Sequence, residues 1–327
     1  MKDKITWLAV LQGWSMFLVV LGHVDLNNEV FDPNHPLANW IHTMIYGFHM
    51  PLFMFISVYL FYMTRIKKKW KYGDVLVDKL KRLYIPMIFF TCFTFLAKVI
   101  FSSFMKHPAE LSWSCFFDTF LFYRINPLGE MWFVISLLVI MLLYPIYRLA
   151  DSKISYEMGL LFFFIVMNIW RVDTNYFQLF HVAYMLPFFY AGVLVCKYSF
   201  TEYISTVWSL LVFFLLFICL SYYKNVPEQL IALIGILFSF SFCVNLSKIF
   251  PELYSSFRNY TYQIFLMGIF FQMGIRYLYR QLNVEHTSVY WLLYIASVLV
   301  GLYIPVLVSK GVEKIPNKLV RMFLGLK

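Results

Sequence analysis

Charge is scarce in this chain. Of its 327 residues only 13% are Asp, Glu, Lys or Arg, against about 25% in an average soluble protein, which excludes an ordinary water-exposed globule. The scarcity is uneven, since residues 25–43 contain no Lys or Arg at all. Cysteine is sparse too. Cys92, Cys115, Cys196, Cys219 and Cys243 are scattered through apolar sequence without CxxC spacing, so neither a disulfide framework nor a metal site is expected. Internal repeats and low-complexity stretches are missing. The apolar run after Met1-Lys2-Asp3-Lys4 reaches about Val24, and no small-x-small cleavage site follows it. It reads as an uncleaved first span rather than a removable leader.

Apolar runs are what the chain does have. Hydrophobic residues make up 61% of it, including 37 Phe and 24 Tyr, and runs of about 18 or more apolar residues are candidate membrane spans. The pattern predicts an all-α integral membrane protein with about ten transmembrane helices, near 5–24, 44–63, 83–105, 131–148, 154–171, 183–197, 203–223, 228–248, 260–280 and 287–309. One polytopic domain then fills residues 1–327, with 310–327 as a short basic tail. Span six is short and Pro187 is expected to interrupt it. Leu111–Tyr123, apolar but brief, reads as an interfacial or re-entrant helix.

The net charge of +10 follows the loops instead of forming a basic stripe with interleaved aromatics, so no nucleic-acid partner is expected. With the N-terminus in the cytoplasm, that side holds Lys2, Lys4, the eight basic residues from Arg65 to Arg82, Arg148, Lys153, Lys197, Lys248, Arg258 and five after Ser309. The opposite side holds Lys106, Arg124, Arg171, Lys224, Arg276 and Arg280. Both ends are therefore predicted to face the cytoplasm.

Against this apolar background, ionisable groups carry information, because they are costly within a span. His23 closes the run Leu18-Val19-Val20-Leu21-Gly22, and His49 opens the second span. The orientation brings Glu130, before Met131-Trp132-Phe133, and His181 to the same depth. Histidines with a carboxylate to orient them are apparatus for general-base catalysis. The plainer reading has each imidazole hydrogen-bonding water at the interface, and for His181 that reading is preferred. Gln12 lies eleven residues before His23 and so shares its helix face. It lines a hydrated path or meets headgroups at the inner surface. The basic run from Arg65 to Arg82 either binds phosphates of a nucleotide-bearing cofactor or anchors the loop to anionic lipid. Anchoring suits Lys67–Lys69 better. Arg276 and Arg280 hold an anionic acceptor or mark the interface.

At these residues the chain resembles the integral-membrane acyltransferase-3 family, in particular its fucose 4-O-acetylase-like and polysaccharide O-acetyltransferase branches. Trp7–His23 is similar to the family's first span, Phe48–Phe61 to its His-Met-Pro-Leu-Phe segment, and Lys79–Pro86 to the basic stretch leading into span three. Trp132-Phe133 and Leu186–Gly192 resemble further family marks. The resemblance implies transfer of an acyl group, usually acetyl, from cytoplasmic acyl-coenzyme A to a hydroxyl of an envelope or extracellular glycan or lipid-linked sugar.

It further implies a multi-pass protein of a bacterial inner (plasma) membrane, with a homo-oligomer as one possible state. His23 stands at the family's catalytic histidine, with Glu130 or His49 to orient it or shuttle the proton. Lys79 and Arg82 match its paired basic residues, and Gln12 and Arg65 join them on the donor side. Trp132, His181 and Arg276 fall to the acceptor. Three positions depart from the family pattern: Gln12 where Arg or Lys is common, Val58 in Ser57-Val58-Tyr59, and Gly268 where a histidine is frequent. A glycan or lipid-intermediate transporter, or flippase, with histidine proton relays is the rival reading. The lack of repeats weighs against it.

Overall fold

A computed structural model describes residues 6–26, 34–100, 102, 110–121, 129–171, 173–174, 176, 178–222, 226–282 and 287–326. Lys2, Lys4, Lys106, Arg124, Lys224 and Lys327, which entered the reading of orientation, lie outside the described residues, as do parts of the segments around 25–43 and 106–130.

The described chain is helical, without a strand. In order run α1 (Thr6–Gly22), α2 (Pro36–Tyr46), α3 (His49–Phe61), α4 (Tyr72–Lys79), α5 (Ile85–Ile100), α6 (Trp113–Leu121), α7 (Met131–Leu142), α8 (Tyr144–Ala150), α9 (Ile154–Ile169), α10 (Leu179–Lys197), α11 (Thr201–Ile204), α12 (Val207–Tyr222), α13 (Glu228–Ile249), α14 (Thr261–Leu282), α15 (Thr287–Glu313) and α16 (Lys318–Phe323). Each predicted span overlaps a helix, the fourth being divided between α7 and α8. A helix is what these residues must form in hydrocarbon, where every backbone donor and acceptor has to be satisfied within the segment.

Among the described residues five stretches are long and apolar enough to cross a membrane: Pro36–Ile66, Tyr72–Ile100, Leu179–Lys197, Glu228–Ile249 and Ser288–Glu313. The pair α7 and α8, bent by 50°, makes a sixth if it counts as one span. The apolar helices α1, α9 and α12 are shorter. Broad apolar faces stay exposed on α9 (Phe162, Phe163, Ile169), α12 (Val207, Trp208, Leu215) and α15 (Leu292, Ile295, Leu307). Surfaces of this kind suit lipid and not water; the chain is a multi-pass membrane protein.

Two expectations are corrected. Pro187 does not interrupt its helix, because α10 runs unbroken from Leu179 to Lys197 and begins a turn earlier than predicted. One proline removes a single N–H, and a packed apolar helix tolerates that loss. Residues 36–43, placed outside the predicted spans, are helical, with Pro36 in the first turn and Ala38 and Ile45 as the buried positions. The bend between α7 and α8 has a chemical cause in Pro145, which cannot donate into the helix. There the Tyr147 hydroxyl donates to the Ile140 carbonyl at 2.9 Å.

The described chain forms two compact units, Met1–Ser57 with Val195–Lys314 and Val58–Leu194 with Ile315–Lys327. In the first, α1 is the central helix. It is buried along most of its length, as an all-apolar helix must be, and it packs on α2, α13, α14 and α15. Glycines let the backbones close up. Phe48 lies against the backbone of Gly235 on α13, where a Cβ would meet the Phe48 Cβ and ring. Gly235→Ala is therefore expected to destabilise the protein by about 1–3 kcal/mol, as overpacking of a tight core does. A lowered midpoint in a thermal melt in detergent checks this.

In the second unit α5 packs on α7 and α16, and α8 packs on α9. Phe89 of α5 stacks on Phe323 of α16 at 5.1 Å. Two π-helical turns, Tyr62–Ile66 and Leu80–Tyr84, extend α3 and join α4 to α5. The segment between them is tied down by Tyr144, whose hydroxyl donates to the Trp70 carbonyl at 2.7 Å, and by Tyr62, which donates to Asp151 at 3.1 Å.

Candidate functional site

The first unit carries a histidine pair built from two helix ends. At the C-terminus of α1 the His23 N–H donates to Val19 O at 3.2 Å, so the helical path continues one residue beyond Gly22. The His23 ring returns to the same carbonyl, with Nδ1 2.7 Å from Val19 O. His49, at the start of α3, repeats the device, with Nδ1 2.9 Å from Ile45 O of α2. A carbonyl oxygen can only accept, so in both rings Nδ1 bears the hydrogen and Nε2 carries the basic lone pair. The backbone thus sets the tautomer that a general base needs.

The two rings face each other edge to face, with centroids 5.9 Å apart and planes at 81°. Tyr46 stands beside both, 4.9 Å from His49 and 6.0 Å from His23. His42, one turn earlier on α2, stacks on Tyr46 at 4.0 Å and has Asp25 as a charged neighbour. His49 is buried, whereas His23 keeps part of its surface open. Gly22, next to it, packs against Ile45 and Tyr46 of α2, which explains why the turn bearing His23 ends on a glycine. Gln12 is half-buried in mid-α1, about 16 Å from His23 at 1.5 Å rise per residue, and Arg276 is half-buried on α14.

A basic cluster lies in the second unit. Asp78 accepts from Arg65 at 3.0 Å, with Lys79 at 3.7 Å and Arg82 at 3.6 Å. The Arg65 guanidinium lies 3.9 Å over the Trp70 ring, and its buried Nε has no hydrogen-bond partner. The Lys79 ammonium stands 5.1 Å from the Phe61 ring. Arg65 and Arg82 are both carried by π-helical turns, a distortion that recurs at functional sites because it re-aims side chains. Three cations on one carboxylate leave a surplus of positive charge, which favours a phosphate. Lys67, Lys68 and Lys69 are exposed outside this cluster, in keeping with an anchoring role.

The same unit stacks Trp132 on His181, with centroids 4.2 Å apart and planes at 29°. Nearby in sequence, Arg171 lies between the Phe180 and Tyr184 rings at 4.8 and 4.9 Å. Glu130 belongs to this unit as well, with Lys98 as a charged neighbour. The structure therefore joins His23 to His49, Lys79 and Arg82 to Arg65, and Trp132 to His181. For His23 the orienting contact is the Val19 carbonyl, a partner the sequence reading did not consider.

Sequence reasoning also missed Tyr46, His42 and Asp78 as site residues. The last had a signal, since Asp78 and Arg82 stand four apart on a helix and so face each other. A family model described as an acyltransferase domain matches residues 5–310, reaching across both units. No curated protein and no solved structure matches the chain.

Proposed function

The chain belongs to the acyltransferase-3 family, and from that premise we propose that it is an O-acyltransferase moving an acyl group, acetyl in our reading, from cytoplasmic acyl-coenzyme A to a hydroxyl of an envelope or extracellular glycan. The observation that carries this reading is the pair of imidazoles whose Nδ1 atoms are both committed to helix carbonyls.

A neutral hydroxyl is a poor nucleophile. As it attacks the thioester carbonyl, Nε2 of His23 takes its proton. The tetrahedral adduct collapses, the carbon–sulfur bond breaks, and the proton passes to the departing thiolate. The products are an ester and coenzyme A, with no further reactant needed. His49 supports the ring of His23. The cluster of Arg65, Lys79 and Arg82 grips the phosphate end of the donor. The long pantetheine arm separates that end from the thioester, so the two groups of residues need not be neighbours in sequence. Trp132 and His181 offer stacked rings of the kind that sugar faces pack on, and Arg276 serves an acidic acceptor. Ten membrane crossings with both ends in the cytoplasm of a bacterial cell complete the reading.

The test is twofold. Purified protein supplied with labelled acetyl-coenzyme A and a glycan acceptor should release free coenzyme A and label the glycan. Mass profiles of surface glycans from cells with and without the protein should differ by acetyl groups. Unchanged profiles, or transfer to lipid alone, would refute the glycan assignment.

A further inference from the structure

We propose that Gln272 is a positioning residue for His23, its amide fixing the last turn of α1 from across the unit. The inference rests on His23 being the general base.

A helix C-terminus leaves carbonyls without intrahelical partners, and at the end of α1 these are the groups next to His23. Val19 O is taken by the His23 backbone and ring, and Leu21 O by the Val24 N–H at 3.2 Å. Between them, Val20 O accepts from Nε2 of Gln272 at 2.9 Å, a residue on α14. Gln272 is buried, and a buried amide is retained only where it finds a partner. The chain has cleared a place for it. A Cβ on Gly301 of α15 would lie 2.9 Å from Val20 Cγ1 and 3.0 and 3.1 Å from Gln272 Cγ and Cδ. One turn before Gln272, a Cβ on Gly268 would lie 3.0 Å from the Gly301 carbonyl. The two glycines let α14 and α15 approach, and the Gln272 side chain fills the gap toward α1.

The consequence concerns geometry more than stability. Val19 O holds the His23 ring, and the next carbonyl in the chain is the one Gln272 holds. Releasing it frees the peptide planes that aim Nε2, and a displacement near 1 Å costs about 10²-fold in rate. Losing the Gln272 donor also alters the set of backbone dipoles next to the imidazole.

The experiment compares kcat/KM against pH for the purified full chain, Gln272→Met, Gly301→Ala and His23→Ala. Methionine keeps the length of Gln272 and removes its donor. Gln272→Met should lower kcat about tenfold or more, leave KM for the acyl donor within about twofold, and displace the acid limb of the profile. Gly301→Ala crowds the amide without deleting it, and should move the limb the same way by less. A residue that only held the fold would leave part of the protein inactive, and that scales the curve without moving its midpoint. The other titratable groups around His23, namely Asp25, His42, Tyr46 and His49, are the same in all these variants. A wild-type profile for Gln272→Met beside an inactive His23→Ala overturns the role of Gln272 alone. Full activity of His23→Ala overturns the histidine reading and this inference with it.

Discussion

His23→Ala is expected to abolish acyl transfer while the protein still inserts and purifies as the wild type does. A positioned general base contributes about 10²–10⁴-fold, so kcat falls into background and KM for the donor, set elsewhere, hardly moves. The ring is half-buried at a helix end and bonds to a backbone carbonyl of its own helix, so stability should change little. His49→Ala should cost less activity and more stability, since that ring is fully buried between two helices. Measuring labelled acetyl transfer beside a melting curve separates the two histidines. Comparable transfer by His23→Ala and the wild type would end the assignment.

Removing both Lys79 and Arg82 is the second large effect. Each charge-assisted contact to a phosphate is worth about 1.5–3 kcal/mol, so Lys79→Ala with Arg82→Ala should raise KM for acyl-coenzyme A by at least about 10²-fold. The chemical step, which occurs at the thioester, keeps its kcat once donor is saturating. Added salt should weaken donor binding in the wild type mainly through Arg82, whose side chain is 48% exposed, and hardly at all through Lys79 at 14%, so the double variant should respond less. Initial-rate kinetics over a range of donor concentrations and ionic strengths decide it. An unchanged KM would remove the basic cluster from the donor site and leave it as a membrane anchor.

How much of this was readable in advance follows from the range of each interaction. Helical spans were legible because apolar periodicity and length are local properties, and α1, α3, α5, α7, α9, α10 and α12 to α15 lie within or across the predicted runs, whereas α2 and α4 lie mainly outside them. The ends were less legible. Whether Pro187 breaks α10 depends on packing along the helix and not on the proline itself, and the bend at Pro145 shows the opposite outcome for the same residue type. At the site, His23 and His49 stood out because imidazoles are rare in such sequence. Their partners did not, since the carbonyls of Val19 and Ile45 belong to residues with no polar side chain. Asp78 with Arg82 is a four-residue relation on one helix, whereas Arg65 reaches the same carboxylate from the other side of a turn.

Composition and order of residues alone pointed to a helical membrane protein, to a resemblance with an acyl-transferring family, and to an imidazole at the end of the first helix. Solvent forces that choice, because backbone groups in lipid must pair locally and a titratable ring is kept there only for use. The last turn of the helix itself decides which nitrogen of that ring is basic, whereas tertiary structure decided which histidine stands beside it and which distant amide reaches its helix. Those contacts are set by how closely helices pack, and the glycines that permit the approach reveal their purpose only once the partner helix is in place.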